Sequence, residues 1–218
     1  MFKDILRLTK HSAVYGVGNI LSRALGFLLL PLYTNFLVPE EYAKAILLFT
    51  YLAFLNVIFL YGMDTTFLRF YILKDENNKP EEIFSTAYIS LIISTTVFCS
   101  IMYIFSGDFS RLVFHNNRFQ YLIHLAVIII FFDTLSVLPF LILRAEEKSK
   151  QFVVLKFFVI SINLLLNIIF VAVMKMGVKG IFISNAISSF LSLIFVLNII
   201  INKLRFRFSK KLLSLIHI

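Results

Sequence analysis

The chain has 218 residues, 60% of them hydrophobic and only 15% charged, with 21 Lys and Arg against 12 Asp and Glu for a formal net charge of +9. Soluble domains average about 45–50% apolar and about 25% charged residues, so this balance excludes an ordinary soluble globule. The apolar residues run in long stretches, the pattern of membrane spans. The one cysteine, Cys99, lies inside such a stretch, which excludes an intramolecular disulfide and reads as a small packing residue.

In chain order the sequence predicts six membrane helices, at about 12–37, 42–71, 83–105, 119–143, 152–174 and 178–201. Each is long enough to cross roughly 30 Å of hydrocarbon at about 1.5 Å per residue. The first is not a cleaved signal peptide: it is too long, contains Arg23 and lacks a small-residue cleavage site. Its Gly18, Ser22 and Gly26 recur every fourth residue and let another helix come close. Pro31 in the first span and Pro139 in the fourth should bend their helices. Short breaks with turn chemistry separate the spans, at Val38-Pro39-Glu40-Glu41, at 74–80, from Ser106-Gly107-Asp108, at 144–150 and at Met176-Gly177. Loops this short make consecutive helices antiparallel neighbours. The expected fold is all-α, a polytopic membrane bundle of six transmembrane helices, with residues 1–211 as one lobe and 212–218 as the start of a seventh helix.

The basic residues set the expected direction. With the N-terminus in the cytoplasm, fifteen Lys and Arg fall on the cytoplasmic side, among them Arg69, Arg144, Lys148, Lys150, Lys156 and Lys203, against five outside and Arg23 within a span. That bias places both ends in the cytoplasm. It also accounts for the basic balance as topology and contact with anionic membrane lipids, not with nucleic acid.

Charges inside spans are costly in hydrocarbon and so carry the most information. Arg23 and Asp133 lie roughly 15 Å and 16 Å from the cytoplasmic ends of their spans. Asp64 lies roughly 10 Å in. These three are expected to share a polar interior. The alternative is a buried ion pair that only orients helices. Asn163 and Asn167 share one face of the fifth span, and Ser184, Ser188 and Ser192 one face of the sixth, as cavity wall or as interhelical hydrogen bonding. No nucleophile elbow, phosphate loop or metal-ligand cluster is present, so neither an enzyme nor a bound metal or cofactor is expected. The pairs Glu81-Glu82 and Glu146-Glu147 stand beside lysines and read as solvated loop faces.

The run from His11 to Tyr42, with Ser22-Arg23-Ala24-Leu25-Gly26-Phe27 and Leu30-Pro31-Leu32-Tyr33, resembles the opening helix of polysaccharide-biosynthesis flippases for lipid-linked, O-antigen-type oligosaccharides. Their superfamily also holds the multidrug and toxin extrusion proteins and the peptidoglycan-precursor flippases. Gly62-Met63-Asp64 through Tyr71, Leu143-Arg144-Ala145-Glu146-Glu147-Lys148, and Asn163 and Asn167 before Gly177-Val178-Lys179-Gly180 extend the resemblance in order and spacing.

The resemblance implies twelve to fourteen helices in two lobes around a central cavity, with these 218 residues as the first lobe. It implies alternating access that moves undecaprenyl-pyrophosphate-linked oligosaccharide across the bacterial plasma membrane. By the same resemblance Arg23 contacts the substrate pyrophosphate, with Arg69 and Arg144 as further cationic positions. An arginine suits that group because its planar fork makes paired charge-assisted bonds. Asp64 and Asp133 would pair with these arginines or couple transport to a proton or Na+. Implied partners are the lipid-linked oligosaccharide, membrane lipids, and a polysaccharide polymerase and glycosyltransferases. Two rivals stay open: a multidrug or organic-cation antiporter of the same superfamily, and a non-transporting scaffold of a polysaccharide-assembly complex. The chain is expected to be a truncated fragment, with a dimerising half-transporter as the alternative.

Overall fold

The computed structural model describes residues 27–73 and 79–205, with Gly16 and Ile20. These residues form eight α-helices and no strands: α1 (Leu29–Phe36), α2 (Pro39–Leu60), α3 (Met63–Leu73), α4 (Pro80–Ile104), α5 (Ser106–Phe114), α6 (Gln120–Ala145), α7 (Ser149–Asn167) and α8 (Gly177–Lys203). Five helical stretches among them are long and apolar enough to cross a membrane: Pro39–Leu60, Pro80–Ile104, Asn117–Ala145, Ser149–Val173 and Gly177–Lys203. They correspond to the second through sixth predicted spans. Half of the first, with Gly18, Ser22, Arg23 and Gly26, lies outside the described residues. Its end is α1, where Pro31 stands in the first turn, a position at which the missing N–H costs no helical bond.

α6 is the axis of the bundle. Its most extensive contact is with α8, and it also touches α2, α3, α4, α5 and α7. The buried face of α8 explains the closeness of that contact. Gly180, Ser184, Ser188 and Ser192 stand every fourth residue along it, and all are buried. Small side chains at this spacing let two helix backbones approach. α7 is the opposite case, with few buried residues and long apolar side chains facing outward, as a lipid-facing helix should have.

Three predicted features change. The second span is not one helix. Tyr61 and Gly62 adopt positive φ of 37° and 78° and separate α2 from α3. Glycine takes this conformation at no steric cost. The Gly62 carbonyl accepts the Thr66 N–H at 3.2 Å and the Thr65 and Thr66 hydroxyls at 2.9 and 3.0 Å. The segment after Phe105 is not a plain loop: it holds α5, with Asp108 in its first turn where a carboxylate suits the helix dipole, and a 3₁₀ turn at Asn117–Phe119. The end of the fifth span widens into a π-helical turn, Ile168–Val173, where Met174 N–H reaches back to the Ile169 carbonyl at 2.8 Å.

Glu146 is not a solvated loop residue. Its Oε1 accepts from Lys203 Nζ at 2.6 Å and from the Tyr71 hydroxyl at 3.0 Å, and its Oε2 pairs with Lys148 Nζ at 2.7 Å. One carboxylate thus ties the ends of α3, α6 and α8 together. Arg205 N–H adds a bond to Ser85 Oγ of α4 at 2.7 Å. Partial burial pushes the Glu146 carboxyl up, but the hydrogen bonds from Lys148, Lys203 and Tyr71 and the Lys203 charge outweigh it and hold it at about 2.

Two outcomes test this frame. Gly177 sits at φ +59°, and a Cβ there would overlap the Glu41 carboxylate, so Gly177→Ala should lower stability by about 1–2 kcal/mol in detergent thermal unfolding. Gly107→Ala, with open space around it, should be neutral or slightly stabilising. A depressed carboxyl stabilises the fold fully above its ordinary value of 4.5 and loses that effect as pH falls toward about 2. The difference in thermal midpoint between wild type and Glu146→Gln should therefore be flat above pH ~5 and shrink below it.

Candidate functional site

The buried apolar residues fall into two clusters along α6. One contains Leu122, Ile123, Ala126, Val127, Ile129 and Ile130 with Phe182 of α8. The other contains Leu138 and Phe140 to Leu143 with Phe67 of α3 and Phe84 of α4. Asp133, Thr134 and Ser136 occupy the stretch of α6 between them.

A cavity of about 370 Å³ opens beside this polar stretch. One face of α6 lines it, with Asp133, Ser136, Val137, Phe140, Leu141 and Arg144. These positions advance by three and four residues, the spacing of a single helix face. Asn56 of α2, Phe152 and Lys156 of α7 and Ser192 of α8 complete it. At about 1.5 Å per residue the α6 face spans roughly 16 Å, from Asp133 in mid-span to exposed Arg144 in the last turn.

Lys156 is the residue that sequence reasoning missed. It was expected with the flanking cytoplasmic charges, but it stands seven residues inside α7, roughly 10 Å from the helix start. The Asp133 carboxylate and the Lys156 ammonium border the same cavity, where opposite charges attract without direct ion-pair contact. The same ammonium lies 4.1 Å from the centroid of the Phe140 ring, a cation–π contact. Its position inside an apolar run, on one face with Phe152, was the available signal. Two cations and one anion border the cavity, a net charge of +1.

The other expected site residues are placed differently. Arg23 lies outside the described residues, so the expected Arg23–Asp133 pairing does too. Asp64 is half-buried in the first turn of α3 and Arg69 is exposed on the same helix, and neither borders this cavity. Asn167 is buried, accepts from the Tyr33 hydroxyl at 2.9 Å and donates to the Asn163 carbonyl at 2.9 Å. That pattern fastens α1 to α7. Ser184 and Ser188 spend their hydroxyls on their own helix, on the carbonyls of Gly180 and Ser184, each at 2.8 Å. Of the serine stripe, Ser192 reaches the cavity. One cavity therefore joins Asp133 and Arg144 with Lys156, which the sequence reading had not singled out.

The fold defines a multi-pass helical membrane protein with charged groups bordering a cavity in an apolar bundle. The chain belongs to the polysaccharide biosynthesis protein family, which it matches over residues 8–217. No curated protein and no solved structure matches it.

If Asp133 and Lys156 compensate each other, removing one leaves the other as an unpaired charge. Asp133→Asn and Lys156→Met should each lower stability by on the order of 2–3 kcal/mol. The double variant should lose less than the sum, as a double-mutant cycle in thermal unfolding would read.

Proposed function

We propose that this bundle is one lobe of a flippase that moves an undecaprenyl-pyrophosphate-linked oligosaccharide across the bacterial plasma membrane for surface polysaccharide assembly. The observation that carries the reading is the cavity with Arg144 and Lys156 against one carboxylate, in a chain of the polysaccharide biosynthesis family. An anionic pyrophosphate would be held by the Arg144 fork and the Lys156 ammonium. Asp133 keeps Lys156 neutralised while the cavity is empty and gives it up when the anion arrives. Arg144, in the last turn of α6, meets the headgroup first, and Lys156, deeper in the bundle, receives it next.

Arg23, from the resemblance to peptidoglycan-precursor flippases, is proposed as a further pyrophosphate contact, with Arg69 as a cationic position at the same end. Asp64 and Asp133 remain candidates for coupling to a proton or Na+. The excess of Lys and Arg at the end where α6 stops and α7 starts supports a cytoplasmic assignment for that end. Asp133 is the feature that favours the organic-cation antiporter, whose cavity should be acidic.

In a bacterium that depends on this protein for its surface polysaccharide, Arg144→Ala and Lys156→Ala should each reduce polysaccharide at least tenfold after normalisation to the amount of folded protein. Arg144→Lys should restore part of it, because charge survives while the paired geometry does not. Full polysaccharide from both alanine variants, or drug efflux without effect on polysaccharide, would reject the flippase reading.

A further inference from the structure

Three candidate spans meet at one end of the bundle: α6 stops at Ala145, α7 starts at Ser149 and α8 stops at Lys203. A second cavity, of about 200 Å³, opens between them. Its polar lining is Glu146, Lys148, Gln151, Asn198, Asn202 and Lys203. One water needs only about 15 Å³ of such space, so a group far larger than a water fits.

This lining is rich in donors. Lys148 gives one N–H to Glu146, and Lys203 gives one to Glu146 and one to Tyr71 at 3.3 Å. An ammonium carries three. Among the described residues the side-chain amides of Gln151, Asn198 and Asn202 have no hydrogen-bond partner. Glu146 is the one acceptor charge against two cations, which leaves the lining with a net charge of +1. Its two oxygens are already engaged by three donors, so it does not exhaust what the lysines and amides offer.

Depth decides what kind of anion belongs there. The cavity lies where the apolar stretches of three helices end, the level of phospholipid headgroups. Leu197 and Ile201, next to Asn198 and Asn202 on α8, are exposed and apolar, a surface for acyl chains. We propose that this cavity binds the phosphodiester of an anionic phospholipid. The amides and ammonium groups donate to the phosphate oxygens, and the lipid fastens α7 to α8 at the side of the clasp built on Glu146. The site is separate from the cavity at Asp133, and it stands whether or not that cavity carries an oligosaccharide lipid.

The test is thermal unfolding of the purified protein in a neutral detergent with dioleoyl phosphatidylglycerol, dioleoyl phosphatidylcholine or inorganic phosphate added. Phosphatidylglycerol should raise the midpoint by several degrees, because a ligand that binds only the folded state stabilises it. Phosphatidylcholine should not, since its choline cation is repelled by the net positive lining. The double variant Asn198→Leu/Asn202→Leu should abolish the shift, and Lys148→Gln should weaken the apparent affinity about tenfold, the loss of one charge-assisted bond of ~1.4 kcal/mol. An equal shift with phosphatidylcholine, or a full phosphatidylglycerol shift in the double variant, would overturn the proposal. Inorganic phosphate matching the lipid's shift would overturn the lipid assignment in favour of a free-phosphate site. Should the double variant fail to fold, Gln151→Leu on the other helix makes the same measurement, read as phosphatidylglycerol retained in native mass spectrometry.

Discussion

A carboxylate in the middle of a membrane helix needs polar surroundings, and the arrangement around Asp133 follows from that requirement. Bare, it would cost several kcal/mol in hydrocarbon. It stands between two apolar clusters on α6, where packing is interrupted, and it borders a cavity that Lys156 of α7 and Ser192 of α8 also line. Those two residues lie on the helices that follow α6 in the chain. Opposite charges therefore share a cavity of the α6–α7–α8 unit at mid-depth, while Glu146 ties the ends of α3, α6 and α8.

The two polar ties differ in kind. Glu146 lies beyond the last turn of α6 with both oxygens engaged, and its bonds join helix ends that would otherwise fray. Asp133 borders an open space with two cations and keeps a net positive charge in it. A saturated carboxylate suits a clasp. A carboxylate sharing a cavity with surplus cations suits a site, because an incoming anion can compete for Lys156 without leaving either charge alone.

Small residues and backbone irregularities set how closely the helices approach and where they turn. Gly180 comes so near the Phe170 carbonyl that a Cβ would meet it at 3.0 Å, which binds the start of α8 to the π-helical end of the preceding span. The Tyr61–Gly62 break turns the chain within the second predicted span, and the Tyr61 hydroxyl, 3.3 Å from Ser90 Oγ, rests against α4. At that break, Gly62 supplies the positive φ that the turn requires.

Composition and hydropathy by themselves determined the membrane class, five of the spans and most of their limits, because a helix in lipid must satisfy its own backbone and so writes its length into the apolar run. The depth of Asp133 and the position of Arg144 were legible for the same reason. The other cation that shares their cavity was not. Lys156 was counted with the flanking charges, since a basic residue near a helix start looks the same in sequence whether it turns to water or into the bundle. The serines show the converse: a four-residue spacing identifies a face, but only the packed structure decides that Ser184 and Ser188 bond their own helix while Ser192 meets a cavity. Glu146 belongs with them, because its three partners come from segments as far apart as Tyr71 and Lys203. Local periodicity determines which face of a helix is polar. What that face meets depends on helices distant in the chain, and only the tertiary structure decides it.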